Sequence, residues 1–216
     1  KSSGRSSGYR VSNPSKGFRI ENGEMFFMGN AGPIEVLAPG SIRPREAANS
    51  VCYGLSGDGT VVSDVRKEFS FAGGSAASPF VFSGTFVGTI DLTLNNGYQY
   101  LTNPAMSDQN VDLRFYTGVL GVSKIGPSGV ASSIGKGNTV WFRGTPTRLV
   151  YLGTGETTDK YMKMFSAANV GMILDGGATG GLVFNSDIYG SDSAARMCVL
   201  TLDGSNSVPC VIRQEI

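Results

Sequence analysis

An all-β domain, mainly antiparallel and closed as a sandwich or a barrel, is the fold class this sequence predicts, with long loops and at most one or two short helices. Three observations predict it. Glycine supplies 31 of 216 residues, about twice its usual ~7%, without the triplet period of collagen. Short runs rich in β-branched and aromatic residues alternate with polar ones, as half-buried strands do. Turn signals recur about every 8 to 15 residues, a sandwich or barrel spacing rather than that of βαβ units. A search for self-similarity at periods of about 20–50 residues finds none, which argues against solenoids and propellers.

Residues 1–16, rich in Ser and Gly and closed by Asn13-Pro14, read as a flexible basic leader or linker, and residues 17–216 as one β-rich domain. The chain opens on Lys rather than Met, which reads as a piece of a longer polypeptide. Lys1, Arg5, Arg10, Lys16 and Arg19 give the first twenty residues +5, leaving −4 for the rest of a chain whose net charge is +1. Serines and glycines separate these cations, so the leader reads as a spacer first and a nucleic-acid arm second. No apolar run is long enough to insert in a membrane.

Strand signals begin at "GEMFFMG". A short helix is expected at "PREAANSV", with Pro44 near its start. "PFVFSGTFVGTIDLTL" and "VDLRFYTGVLGV" read as strands, and "NTVWFRG" and "TRLVYLG" as a hairpin around Gly144-Thr145-Pro146. "TTDKYMKMFSAAN" stays open between a helix capped by Thr157 or Thr158 and a strand with Met162 and Met164 on one face. "GGATGG", residues 176–181, is a turn: it lacks the Lys-Ser/Thr ending of a phosphate loop. In "CVLTLDGSNSVPC", Cys198 and Cys210 lie symmetrically about Gly204, so a hairpin would set them opposite each other, within reach of a disulfide or as a buried reduced pair.

The stretch "IDLTLNNGYQYL", residues 90–101, reads as a hairpin turning at Asn96-Gly97. In that register Leu92, Leu94 and Leu101 share the core face, while Asp91, Thr93, Tyr98 and Tyr100 share the other. Two phenols among polar neighbours are the makings of a receptor or glycan surface. Trp141 and Arg143 alternate with Val140 and Phe142 and form a second candidate anchor.

The chain contains no histidine. Imidazole-dependent nucleophilic catalysis and most zinc sites are therefore absent, and no cofactor, metal or catalytic residue is expected. Asn185, Asp187 and Asp192 could offer calcium oxygens, but Arg196 stands where an EF-hand needs its terminal Glu. Carboxylate-only glycoside hydrolysis survives this test. The expectation is a non-enzymatic virion surface component: a viral capsid protein or projecting spike that forms a homodimer or other homo-oligomer and binds a host receptor or carbohydrate. A bacterial or phage adhesin, fimbrial or tail-fibre lectin-like domain is the alternative, placed on the bacterial or phage surface, and a carboxylate glycosidase the second.

Overall fold

The computed structural model describes residues 17–27, 30–44, 50–106, 113–115, 118–142, 147–164, 170–175, 182–184, 188–190, 198–203 and 210–212. Among these the regular elements are all strands. No described helix is long and apolar enough to cross a membrane.

The strands stack as successive rungs of a parallel coil. The first rung is β1 (Phe18–Ile20), β2 (Glu24–Phe27) and β3 (Asn30–Ala31); the second is β4 (Ile34–Val36), β5 (Ser41–Pro44) and β6 (Ser50–Cys52). The third opens with β7 (Leu55–Gly57) and continues into β8 (Thr60–Gly73), whose two halves occupy the other two lanes. The fourth holds β9 (Phe80–Phe82) and most of β10 (Thr85–Leu101). The end of β10, from Tyr98, begins the fifth rung, which β11 (Leu113–Phe115) completes. The sixth has β12 (Gly118–Val122) and β13 (Thr139–Phe142); the seventh β14 (Thr147–Tyr151), β15 (Glu156–Thr158) and β16 (Tyr161–Met164). The eighth has β17 (Val170–Asp175), β18 (Leu182–Phe184) and β19 (Ile188–Gly190), and the ninth β20 (Cys198–Asp203) and β21 (Cys210–Ile212).

Among the described residues the strands hydrogen-bond from rung to rung within a lane and the strand ladders are parallel; Ser75 and Ser78 form one isolated antiparallel bridge. The stretch of chain between register partners is short at Phe18–Ile34 and nearly twice as long at Gly118–Thr147. Strands about 4.8 Å apart give nine rungs a span of roughly 40 Å. The expected antiparallel sandwich or barrel is thus overturned, and so is the argument against a solenoid. The rungs differ too much in length to show as one period.

Alternation still decides which side chains go in. In the first lane Ile20, Val36, Phe82, Leu101, Val122 and Tyr151 stand in one column, all buried. Ile34, Leu55, Leu120 and Leu149 form the next. Burying each such side chain contributes ~1.5–3 kcal/mol, and the parallel stack lets like pack on like from rung to rung.

The corner between the third and first lanes is built from glycine. Gly73, Gly97 and Gly118 have φ of 109°, 93° and 103°. A Cβ on Gly118 would run into the Gly97 carbonyl, one on Gly97 into the Gly73 carbonyl, and one on Gly73 into that of Tyr53. Both the left-handed backbone and the close approach require glycine here. The Asn96 side chain accepts the Gly97 N–H at 2.7 Å. Asn96-Gly97 therefore bends one long strand around a corner instead of reversing it, and the predicted hairpin is replaced by a single strand paired in parallel with β8 on one side and with β11 and β12 on the other.

Other local expectations change for the same reason. β13 pairs with β11 and β16 while β14 pairs with β12 and β17, so 139–151 is not a hairpin. β17 and β18 lie in different lanes; residues 176–181 between them are outside the described residues. Pro44 ends β5 and Ser50 begins β6, which removes the ends of the expected helix, whose centre lies outside the described residues. Thr157 lies in β15, and Met162 and Met164 in β16, so the open segment resolves as strand through Met164.

Candidate functional site

Most of the residues singled out from the sequence fall on two lanes of this coil. On the first lane, Gln99 and Leu101 are buried, and Tyr98 and Tyr100 alternate with them in part-exposed positions. Tyr100 is the register partner of Val81, which is 42% exposed, and of Gly121. A Cβ on Gly121 would lie 2.6 Å from the Tyr100 ring, so the phenol lies flat along the stack over a glycine. Tyr98 is beside Val119. The two phenols stand side by side on one strand, and with Val119 and Val81 on the neighbouring rungs they make a part-exposed patch on the first lane.

Asp91 and Thr93 are elsewhere. They precede the glycine corner and stand on the third lane, Asp91 beside Glu68 and Thr93 between Ser70 and Arg114. The expected cluster of Asp91, Thr93, Tyr98 and Tyr100 on one face is therefore split between two lanes. The register brings Thr93 into a different company: Thr93, Arg114, Trp141, Lys163 and Tyr189 are successive partners in one column. Val140 beside Trp141 is buried, whereas Trp141 is part-exposed. Arg143 lies outside the described residues. Arg114, Lys163 and Tyr189 were missed because each is the polar middle of a short strand motif, and only the rung-to-rung register aligns them. The signal was present as an apolar-x-apolar motif at "FSF", "LTL", "LRF", "VWF" and "MKM", recurring at unequal intervals.

The second lane has no described strand between β10 and β15, and side chains replace the missing ladder. Asn103 donates to the Gly84 carbonyl at 3.0 Å, and the Ser133 hydroxyl to the Asn103 carbonyl at 2.8 Å. Residues 123–138 form an ordered loop held from the rung below. The Glu156 carboxylate accepts the N–H groups of Ile125 and Gly126 at 2.6 and 2.8 Å, and Asp159 accepts that of Ser128 at 2.6 Å. The Thr158 hydroxyl donates to the Gly126 carbonyl at 2.8 Å, and buried Lys160 donates to the carbonyls of Gly135 and Gly137. Burial pushes the Tyr151 phenol up, countered by the Gly155 N–H that its oxygen accepts and reinforced by Glu156. These charged groups have structural partners, so the loop is a built feature of the coil rather than an open site.

Cys198 and Cys210 are not hairpin partners: Cys198 pairs with Val170 in the first lane and Cys210 with Leu182 in the second. Their side chains, together with the leader, Asn185, Asp187 and Asp192, are outside the described residues. Cys52 is a buried free thiol, pushed up to about 12 by desolvation, which backbone hydrogen bonds only partly offset. Among the described residues no group of acids and thiols is arranged to hold a metal. A shallow open groove lies over the first rungs, between Phe18, Arg19, Glu35 and Ser56. Comparison of the chain with protein-family models, with curated proteins and with solved structures gave no match.

Proposed function

We propose that this chain is a non-enzymatic attachment module displayed on a virion or on a bacterial or phage surface, where it binds a host receptor glycan along the flank of the coil. The observation that carries the reading is the part-exposed patch that Tyr98 and Tyr100, side by side on one strand, form with Val81 and Val119 on the neighbouring rungs. Flat aromatic surface on an open flank suits an extended chain better than a small molecule, which needs a concave pocket. A rigid rod of stacked rungs also supplies the long surface that solenoids use for binding. This shape favours the tail-fibre or adhesin form of the reading over a compact capsid spike, and self-association along the rod fits the same role. Titrating the protein with a panel of surface polysaccharides by calorimetry tests it. Y98A/Y100A is expected to weaken binding at least tenfold at unchanged Tm; unchanged affinity would refute this patch as the binding face.

One observation favours a second reading. Asp175 and Asp203 are direct register partners at the end of the first lane, and a pair of acids is what carboxylate-only glycoside hydrolysis requires. Turnover of a bound polysaccharide that is lost in both D175N and D203N would establish it.

A further inference from the structure

Two Asn-Gly dipeptides share one local geometry and differ in what surrounds them. Asn22-Gly23 forms the exposed bend between β1 and β2, and Asn96-Gly97 the glycine corner of β10. In each, the asparagine side-chain oxygen accepts the N–H of the glycine that follows, at 2.8 and 2.7 Å. Both glycines have positive φ, 76° and 93°. The contact holds the glycine nitrogen beside the asparagine amide, and glycine puts no Cβ in the way of ring closure between them.

Closure needs a swing of the Asn-Gly peptide that turns the nitrogen from the amide oxygen to the face of the amide carbon. At the first site both residues are exposed, and a Cβ built on Gly23 meets nothing within 4 Å. The bond from the Ser41 N–H to the Gly23 carbonyl at 2.8 Å belongs to the following peptide and does not fix this one. At the second site the swing is blocked. Asn96 is itself exposed, but Gly97 is buried between two rungs. A Cβ on Gly97 would overlap the Gly73 carbonyl, and one on Gly118 would lie 2.5 Å from the Gly97 carbonyl. Movement there has to wait for the stacked rungs to open.

We propose that Asn22 is a self-modification site at which the folded chain deamidates, and that the glycine corner protects Asn96 from the same reaction. The Gly23 nitrogen gives its proton to solvent base and bonds to Cγ of Asn22. The bond from Cγ to the side-chain nitrogen breaks, and that nitrogen takes up a proton and leaves as ammonia. Water then opens the succinimide at either carbonyl, giving aspartate or isoaspartate; water enters, ammonia leaves, and nothing is oxidised or reduced. The new carboxylate joins Glu21 and Glu24 on the first rung and lowers the net charge from +1 to 0.

The test is to age the full chain in mildly alkaline buffer and to map its tryptic peptides. Cleavage after Arg19 and after Lys67 puts the two sites on separate peptides. Each is scored by a mass gain of about 1 Da and by methyl transfer from an isoaspartyl methyltransferase. In the folded chain Asn22 should convert at least tenfold faster than Asn96, and in urea, where only the dipeptide matters, the two rates should agree within about threefold. G23A, whose Cβ crowds the nucleophile, should slow conversion of Asn22 at least fivefold, and N22Q should remove the acidic variant from ion-exchange profiles. Equal rates at the two sites in the folded chain, or conversion of Asn22 only in urea, overturns the proposal. If G23A proves unfolded by circular dichroism, the two sites of the parent chain decide the matter alone.

Discussion

Replacing Gln99 with leucine removes a side chain that stitches three rungs together. Gln99 is 1% exposed on the fifth rung. Its amide nitrogen donates to the Leu55 carbonyl at 2.9 Å and to the Phe80 carbonyl at 3.2 Å, and its oxygen accepts the Leu55 N–H at 3.1 Å. Leu55 needs this help because β7 and β9 pair only at Gly57–Phe82, leaving its backbone groups without a ladder partner on that side. Gly54 lets the Phe80 ring settle where a Cβ would have been. In Q99L both Leu55 groups lose these bonds inside the core, at about 1–3 kcal/mol each. Burying an apolar side chain in place of an amide returns ~1–2 kcal/mol. The net loss centres on about 2.5 kcal/mol, a fall in Tm of roughly 5–10 °C for a chain of this size. Q99E should be worse at pH 8, because it buries a carboxylate facing two carbonyls. Its folded-state pKa is then raised, so the deficit shrinks as pH falls toward the ordinary glutamate value of about 4.3. Urea denaturation followed by circular dichroism measures both. A Q99L loss under about 0.5 kcal/mol, where an unsatisfied buried group should cost more, would refute the stitch.

Other outcomes follow from single features. Gly97→Ala meets both a φ of 93° and the Gly73 carbonyl, whereas Gly23→Ala, with φ of 76°, meets nothing within 4 Å; the first should lose more than ~2 kcal/mol and the second about 1 in the same denaturation assay. Burial pushes the Cys52 thiol up to about 12 in the folded chain, against 9.0 for the exposed thiol. The unfolded chain therefore releases its proton first as pH rises, and this contribution to stability is complete below about pH 9 and lost up to about 12, at ~1.4 kcal/mol per unit. The stability advantage of the parent chain over C52A should narrow by that slope between pH 9 and 10.5, and a constant difference would contradict it. Glu156→Gln discharges the carboxylate that holds Ile125 and Gly126, so tryptic cleavage after Lys124 or Lys136 should quicken about tenfold, while a rate equal to the parent's would show that the loop is held by other means.

Alternation was legible in the sequence, and strand direction was not. "YQYL" puts Gln99 and Leu101 inward and the tyrosines outward whether the neighbouring strand runs parallel or antiparallel, so the side taken by Tyr98 and Tyr100 follows from the strand alone while the identity of their neighbours does not. Asn-Gly demands a left-handed backbone in a hairpin turn and at this corner alike; what separates the two is the carbonyl of Gly73 directly above, one rung earlier in the chain. Rungs as unequal as those that part Phe18 from Ile34 and Gly118 from Thr147 hide the repeat from any search at one fixed period. Gln99 reads as a polar residue on a tyrosine-rich strand, and only the three-rung geometry gives it a structural task. Trp141 stood out in the sequence as a candidate anchor; that Arg114 and Lys163 are its register partners follows only from pairing with the rungs before and after it.

The parallel coil is tested most directly by a pair of engineered disulfides in a chain otherwise free of cysteine. Val81 and Tyr100 are register partners on adjacent rungs, within the ~4.4–6.8 Å Cα separation a disulfide spans. Thr93 and Tyr100 would be opposite each other in an antiparallel hairpin but lie on either side of the glycine corner of one strand in the coil, on different lanes and not as register partners. Under mild oxidation V81C/Y100C should close a bridge, scored by mass after alkylation and by retention of the native circular dichroism spectrum, and T93C/Y100C should stay reduced. Efficient bridging of T93C/Y100C with V81C/Y100C left open would contradict the coil.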